Sequence, residues 1–121
     1  MLRSSAINVS IKERLIPPQL TKAQTVTVCA SEADLPNVAL FGMTAAQWRQ
    51  ANPQMPGNMR DVATLEQLVV LSNLESINAV LIHQCLTALE RLTQLNAIAI
   101  SQMRSLIGAT SVKRLGKAPE R

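Results

Sequence analysis

A chain of 121 residues with 47% hydrophobic and 17% charged residues is long enough for one core and too apolar to be disordered throughout. Its formal charge of +4 is unevenly placed: residues 1–108 hold eight Lys or Arg against seven Asp or Glu, so the excess lies in the last thirteen. That argues against a basic groove along the body, and Phe41 and Trp48 as the only aromatics argue against a base-stacking surface.

Residues 5–14 carry two periods at once. Ile7, Val9 and Ile11 alternate as in a strand, whereas Ile7, Ile11 and Leu15 fall at helical spacing. Lys12, Glu13 and Arg14 favour a short helix, which Pro17 and Pro18 end, leaving 17–22 as an extended turn. Residues 25–30 (TVTVCA) form the one convincing β-branched run and predict a short strand. A single strand cannot satisfy its own backbone, so it would pair with the N-terminal segment, pair with another subunit, or stand as an extended arm. Asp34 is placed to cap a short helix over 35–41, with Pro36 tolerated in its first turn and Gly42 as its stop.

Thr44-Ala-Ala-Gln47, Thr64-Leu-Glu-Gln67 and Thr87-Ala-Leu-Glu90 each match the capping-box pattern ahead of an apolar run, and so mark three helix starts. The first helix carries Trp48, read as a core anchor, and ends before Pro53; residues 52–61 (NPQMPGNMRD) read as a loop. Arg60 and Asp61 could pair across the end of that loop. The other two boxes open the dominant feature, a long antiparallel hairpin of helices over about 64–83 and 87–107 with its turn at Gln84–Leu86. The first of these helices is apolar nearly all the way round, with charge only at Glu66 and Glu75 before His83, and such a helix is expected to be buried on all sides. Its hairpin partner and the short helices cover part of it, and a second subunit would cover the rest.

Leu71, Leu74, Asn78 and Leu81 of the first helix face Leu89, Leu92, Asn96, Met103 and Leu106 of the second across a heptad-like seam, with axes expected to cross near +20°. Asn78 and Asn96 fall at similar distances from the turn. Either each amide bonds locally or meets solvent, or the two meet as a buried pair that fixes register at a cost in stability. The second reading predicts that Asn96→Leu raises the melting temperature and broadens the oligomer distribution.

No residue set supports catalysis. His83 and Cys85 sit two apart without further zinc ligands or an orienting third group, and His83 at a helix end reads as a dipole interaction. Glu32 with Asp34, and Asp61 with Glu66, read as helix-start acids; Cys29 reads as a small apolar filler; the four glycines form no phosphate loop. Neither a metal, nor a cofactor, nor a small-molecule substrate is expected. The N-terminus has no signal-peptide core, no unbroken apolar run reaches the length of a membrane span, and two distant cysteines fit a reduced, cytoplasmic protein. Residues 109–121 lack periodicity and are expected to form a mobile tail, in which Lys113, Arg114, Lys117 and Arg121 are candidate nucleic-acid contacts.

Four segments, IKERLIPPQLT (11–21), ASEADLPNVALFGMTAAQWR (30–49), GNMRDVATLEQLVVLSNLESINA (57–79) and ERLTQLNAIAISQMRSL (90–106), occur in an order that resembles the C-terminal region of KilA-N domain proteins of phages and bacteria. The likeness covers about residues 9–107. It implies a phage-derived regulatory context in which a DNA-binding KilA-N domain precedes this region, and the recognition residues of that domain have no matching positions among these 121. Three departures stand out: Cys85 where relatives turn on a glycine, Pro36 where they tend to have leucine, and Val62 where an aromatic is usual. A truncated prophage remnant and a free-standing module both fit. The expectation is thus a mainly α domain over 1–108 with a basic tail, acting as a non-catalytic association module, with a homodimer favoured. DNA or a DNA-binding protein is a further candidate partner, and direct nucleic-acid binding through the tail is the alternative function.

Overall fold

The computed structural model describes residues 11, 15–23, 25 and 34–117, with 110–117 as backbone alone. The protein is mainly α: α1 (Leu35–Phe41), α2 (Ala45–Ala51), a 3-10 turn (Met59–Val62), α3 (Leu65–His83) and α4 (Ala88–Lys117). No strand occurs among the described residues. Thr25, which should open the strand over 25–30, instead closes a helical turn, its N–H donating to the Thr21 carbonyl at 3.1 Å and its hydroxyl to the Lys22 carbonyl at 2.7 Å. A threonine hydroxyl that satisfies a nearby carbonyl gives the backbone an alternative to a ladder, which overrides β propensity here. Residues 26–30, and the helix expected over 5–14 apart from Ile11, lie outside the described residues.

Helix starts follow the sequence closely. Thr44 Oγ1 accepts from the Gln47 N–H at 3.0 Å while Gln47 Oε1 accepts from the Thr44 N–H at 2.8 Å. Thr64 with Gln67 repeats the arrangement at 3.1 and 2.8 Å, and Thr87 with Glu90 at 3.1 and 2.9 Å. Each cap supplies about 1 kcal/mol by satisfying donors that the first turn leaves bare. A fourth cap lies in the stretch expected to be loop: Asn58 Oδ1 accepts from the Arg60 N–H at 3.0 Å, Asp61 Oδ2 accepts from the Asn58 N–H at 2.8 Å, and the 3-10 turn follows. Asp34 does not cap α1 as expected. Its backbone (φ −101°, ψ 11°) is not extended, and Oδ1 accepts from the Asn37 side-chain amide at 3.0 Å instead.

The helix ends are equally specific. Gly42 stops α1 at φ 77°, its N–H on the Val38 carbonyl at 2.9 Å. After α3, Cys85 takes the left-handed conformation at φ 64°, the Cys85 N–H meets the Ile82 carbonyl at 2.9 Å and the Leu86 N–H meets the Leu81 carbonyl at 3.2 Å. This is a Schellman motif, with buried Leu81 and half-buried Leu86 as its apolar pair. A glycine-type cap therefore forms without the glycine. Helix α4 runs to Lys117, ten residues past the expected end at Ile107, because Gly108 stays helical and no proline intervenes before Pro119.

Between α2 and α3, Arg49 organises the loop. Its guanidinium lies 4.9 Å from the centroid of the buried Trp48 ring and donates to the carbonyls of Asn52 (3.2 Å), Met55 (2.7 Å) and Gly57. Helix α1 packs on both hairpin helices. Its Leu35, Val38, Ala39 and Leu40 meet Val70, Leu71 and Leu74 of α3 and Leu92, Leu95, Ala99 and Met103 of α4 in one core, every one at most 1% exposed.

Candidate interaction surface

Of the seam residues, Leu71, Leu74, Leu81, Leu92, Asn96 and Met103 are buried in this core, and Asn78 and Leu106 are half-buried. Leu89 departs from the expectation: in the first turn of α4, about 60° around the helix from Leu92, it is 50% exposed.

The polar side chains inside the core are not arranged as a pair of amides. Asn96 is 4% exposed; its Oδ1 accepts from the Leu20 N–H at 3.1 Å, and its Nδ2 donates to the carbonyls of Ala39 (3.0 Å) and Pro18 (3.3 Å). Asn78 Oδ1 accepts instead from the Arg91 guanidinium at 3.0 Å, while Arg91 Nε donates to the Leu86 carbonyl at 3.2 Å. The register pair is thus replaced by two separate clasps. One ties the extended segment 18–20 and α1 to α4; the other ties the hairpin turn to α3. Gln67 supplies a third. Fully buried, it completes the α3 cap with Oε1 and donates through Nε2 to the Ile11 carbonyl at 3.0 Å. Arg91, and the bond Gln67 makes beyond its cap, went unremarked in the sequence because Asn78 and Ile11 lie 13 and 56 residues away.

The outer side of α3 is the opposite case. Leu65 (74% exposed), Leu68 (37%), Val69 (44%), Val80 (54%) and Ile82 (51%) remain in solvent, with Leu89 nearby in sequence beyond the turn. In this chain α3 is therefore buried on one side only, because α1 and α4 occupy that side and no described element covers the other. The helix is also long and apolar enough to cross a membrane by length and composition. Its apolar runs are nonetheless all short, broken by Ser72, Asn73, Glu75, Ser76 and Asn78.

The remaining candidates are quickly placed. Among the described residues, no group of three or more His, Cys, Asp or Glu side chains converges. His83 and Cys85 are exposed at the hairpin tip, where Cys85 Sγ contacts the His83 carbonyl at 3.9 Å. Arg60 pairs with Glu75 of α3 rather than with Asp61, whose carboxylate is occupied by the Asn58 N–H. Both partners are about half exposed, so the pair adds little stability. The Glu90 carboxyl is held below the ordinary glutamate range, first by the Thr87 backbone N–H and then by the Thr87 hydroxyl. A cavity of about 240 Å³ lined by Gln19, Leu20, Thr25, Thr93, Asn96, Ala97 and Ile100 has no titratable side chain among the described residues of its wall. Lys113, Arg114 and Lys117 belong to the last turns of α4, and Arg121 lies outside the described residues.

No family model matches the chain, and neither a curated protein nor a solved structure matches it.

Proposed function

We propose that this protein is a non-catalytic association module whose working surface is the outer side of α3, in a KilA-N-like, phage-derived regulatory setting. The observation that carries the reading is the exposure of Leu65, Leu68, Val69, Val80 and Ile82 on a helix whose other side is fully committed to the core. Singly exposed apolar residues are ordinary, but Leu65, Leu68 and Val69 toward one end of a helix, with Val80 and Ile82 toward the other, make patches that association would cover. The KilA-N-like setting rests on the four sequence segments alone. One helix of 19 residues spans about 28 Å and, at a width of about 10 Å, offers a footprint well below the ~800 Å² per partner of standard interfaces. A weak, reversible complex is therefore expected. Light scattering over a concentration series tests this: mass should rise with concentration, and a monomer throughout would overturn self-association.

A second reading, nucleic-acid binding through Lys113, Arg114 and Lys117, draws support from their placement on one continuous helix. Replacing all three by alanine should then abolish binding to duplex DNA and its salt dependence; affinity indifferent to salt and to the substitutions would refute it.

A further inference from the structure

Residues 15–20 lie on the helical frame without regular secondary structure. The hydrogen bonds they make to described residues run to one side chain: the Leu20 N–H donates to Asn96 Oδ1 at 3.1 Å, and the Pro18 carbonyl accepts from Asn96 Nδ2 at 3.3 Å. Four residues ahead of Leu15, the Ile11 carbonyl accepts from Gln67 Nε2 at 3.0 Å. Two amides on different helices thus hold this part of the chain by its backbone, and Pro17 and Pro18 have no N–H to add. Apolar contact does the rest. Ile11 and Pro17 are buried, Leu15 and Leu20 are half-buried against the core, and Ile16 is exposed. The packing is incomplete, because a cavity of about 240 Å³ separates Gln19 and Leu20 from Thr93, Ala97 and Ile100 of α4. We propose that the segment from Ile11 to Leu20 is a strap that lifts from the frame as one unit, with Asn96 and Gln67 as its latches, and that lifting opens this cavity along α4. Proteins open locally in cooperative units, and the parts with few buried contacts and few backbone bonds open first. Both latches grip one short stretch of chain, so releasing either lowers the cost of releasing the other. Lifting leaves no backbone group bare: the Leu20 N–H and the Ile11 and Pro18 carbonyls pass to water, and Asn96 keeps its bond to the Ala39 carbonyl of α1. The lifted strap also regains chain entropy, while α1, α3 and α4 keep their shared core.

The test is hydrogen exchange of the full chain, read at single amides by nuclear magnetic resonance over a series of urea concentrations below the unfolding transition. Leu20 is the reporter, since its N–H is the one bonded to a latch. Corrected for intrinsic rates, it should exchange at least about a hundredfold faster than the Leu95 and Ala99 amides of α4. Its urea dependence should be shallow, because lifting a strap exposes far less surface than unfolding the frame. Leu81→Ala, at the turn end of the hairpin, should speed Leu95 and Ala99 and leave Leu20 unchanged. Gln67→Met removes the Ile11 latch without touching the bond between Leu20 and Asn96, and should speed Leu20 by about fivefold, the worth of one hydrogen bond. A Leu20 amide that shares the rate and urea slope of α4, or follows it in Leu81→Ala, makes the segment part of the global core and overturns the strap. A Leu20 amide indifferent to Gln67→Met overturns it as well, since the two latches would then act separately. Should either variant fail to fold, the urea series on the unaltered chain decides alone.

Discussion

Asn96→Leu separates two opposite accounts of one buried amide. A register pair with Asn78 would make the substitution stabilising, since an apolar side chain of similar size would replace a polar core group. The structure predicts destabilisation. Leucine would abandon the Leu20 N–H and the Ala39 and Pro18 carbonyls, of which the Ala39 contact is fully buried and the other two are partly so. A buried acceptor left bare costs about 1–3 kcal/mol, and each partly buried group that water can reach about 0.5–1 kcal/mol. Against this, burying the leucine returns about 1–2 kcal/mol. The net loss is about 1–3 kcal/mol, which for a chain of this size lowers the melting temperature by about 4–15 °C. Thermal and urea denaturation followed by far-ultraviolet dichroism would measure it, and amide exchange should show Leu20 losing protection before the α3–α4 hairpin does. An unchanged or raised melting temperature would refute the reasoning. Asn96→Asp sharpens the contrast, because it keeps an acceptor for the Leu20 N–H yet turns a carboxylate toward two carbonyls.

Three further outcomes follow from the helix termini. Cys85→Gly should raise the melting temperature by about 2–6 °C: relieving a left-handed non-glycine residue gains about 1–2 kcal/mol, of which the greater freedom of unfolded glycine removes part. A lower melting temperature would show that the thiol contributes more than its backbone costs. Gly57→Ala should cost about 1–2 kcal/mol in urea unfolding, because Gly57 sits at φ 75° and an added Cβ would lie 2.3 Å from Asp61 Oδ2, displacing the carboxylate from the Asn58 N–H. Equal stability would mean that the turn relaxes freely. Glu90, with its folded pKa lowered, contributes stability that is present above the ordinary carboxyl range and is lost as pH falls through the folded value. Glu90→Gln should therefore flatten the acid limb of the stability profile, since Gln47 and Gln67 make the same cap without titrating; an acid limb unchanged by the substitution would place its origin elsewhere.

What the sequence disclosed depended on how local the physics was. Thr44, Thr64 and Thr87 mark helix starts because each cap closes within three residues, and Gly42 marks a stop for the same reason. The Asn58 cap was equally local, and Asn-x-x-Asp carries its signal, but the proline and glycine around it favoured a loop. Nonlocal partners left no such trace. Arg60 had Asp61 beside it in sequence and Glu75 beside it in space, and the fold chose Glu75. Asn96 bonds residues 76, 78 and 57 positions away, a choice no spacing rule reveals. The candidate surface was half legible: composition gave α3 more apolar residues than one chain covers, but only the placement of α1 decided which side stays bare.

The distribution of polar groups differs between the two sides of α3, the one in the core and the one proposed for association. On the inner side of α3 and α4, Gln67, Arg91 and Asn96 each bond groups distant in the chain or at its turn, so a slipped or swapped packing would strand buried donors and acceptors at about 1–3 kcal/mol apiece. The outer side has no comparable clasp. Its polar residues are exposed, Glu75 answers to Arg60 of the same chain, and Asn73 Nδ2 bonds Gln102 Oε1 of α4 at 3.0 Å. Specificity inside and tolerance outside mean that the two surfaces respond to different mutations. Leu74→Ala should open a cavity costing about 2–5 kcal/mol in the fold, whereas Val69→Lys, on a side chain already 44% in water, should leave the fold intact and act on association alone. The core and the proposed association surface can thus be probed by separate substitutions on one helix.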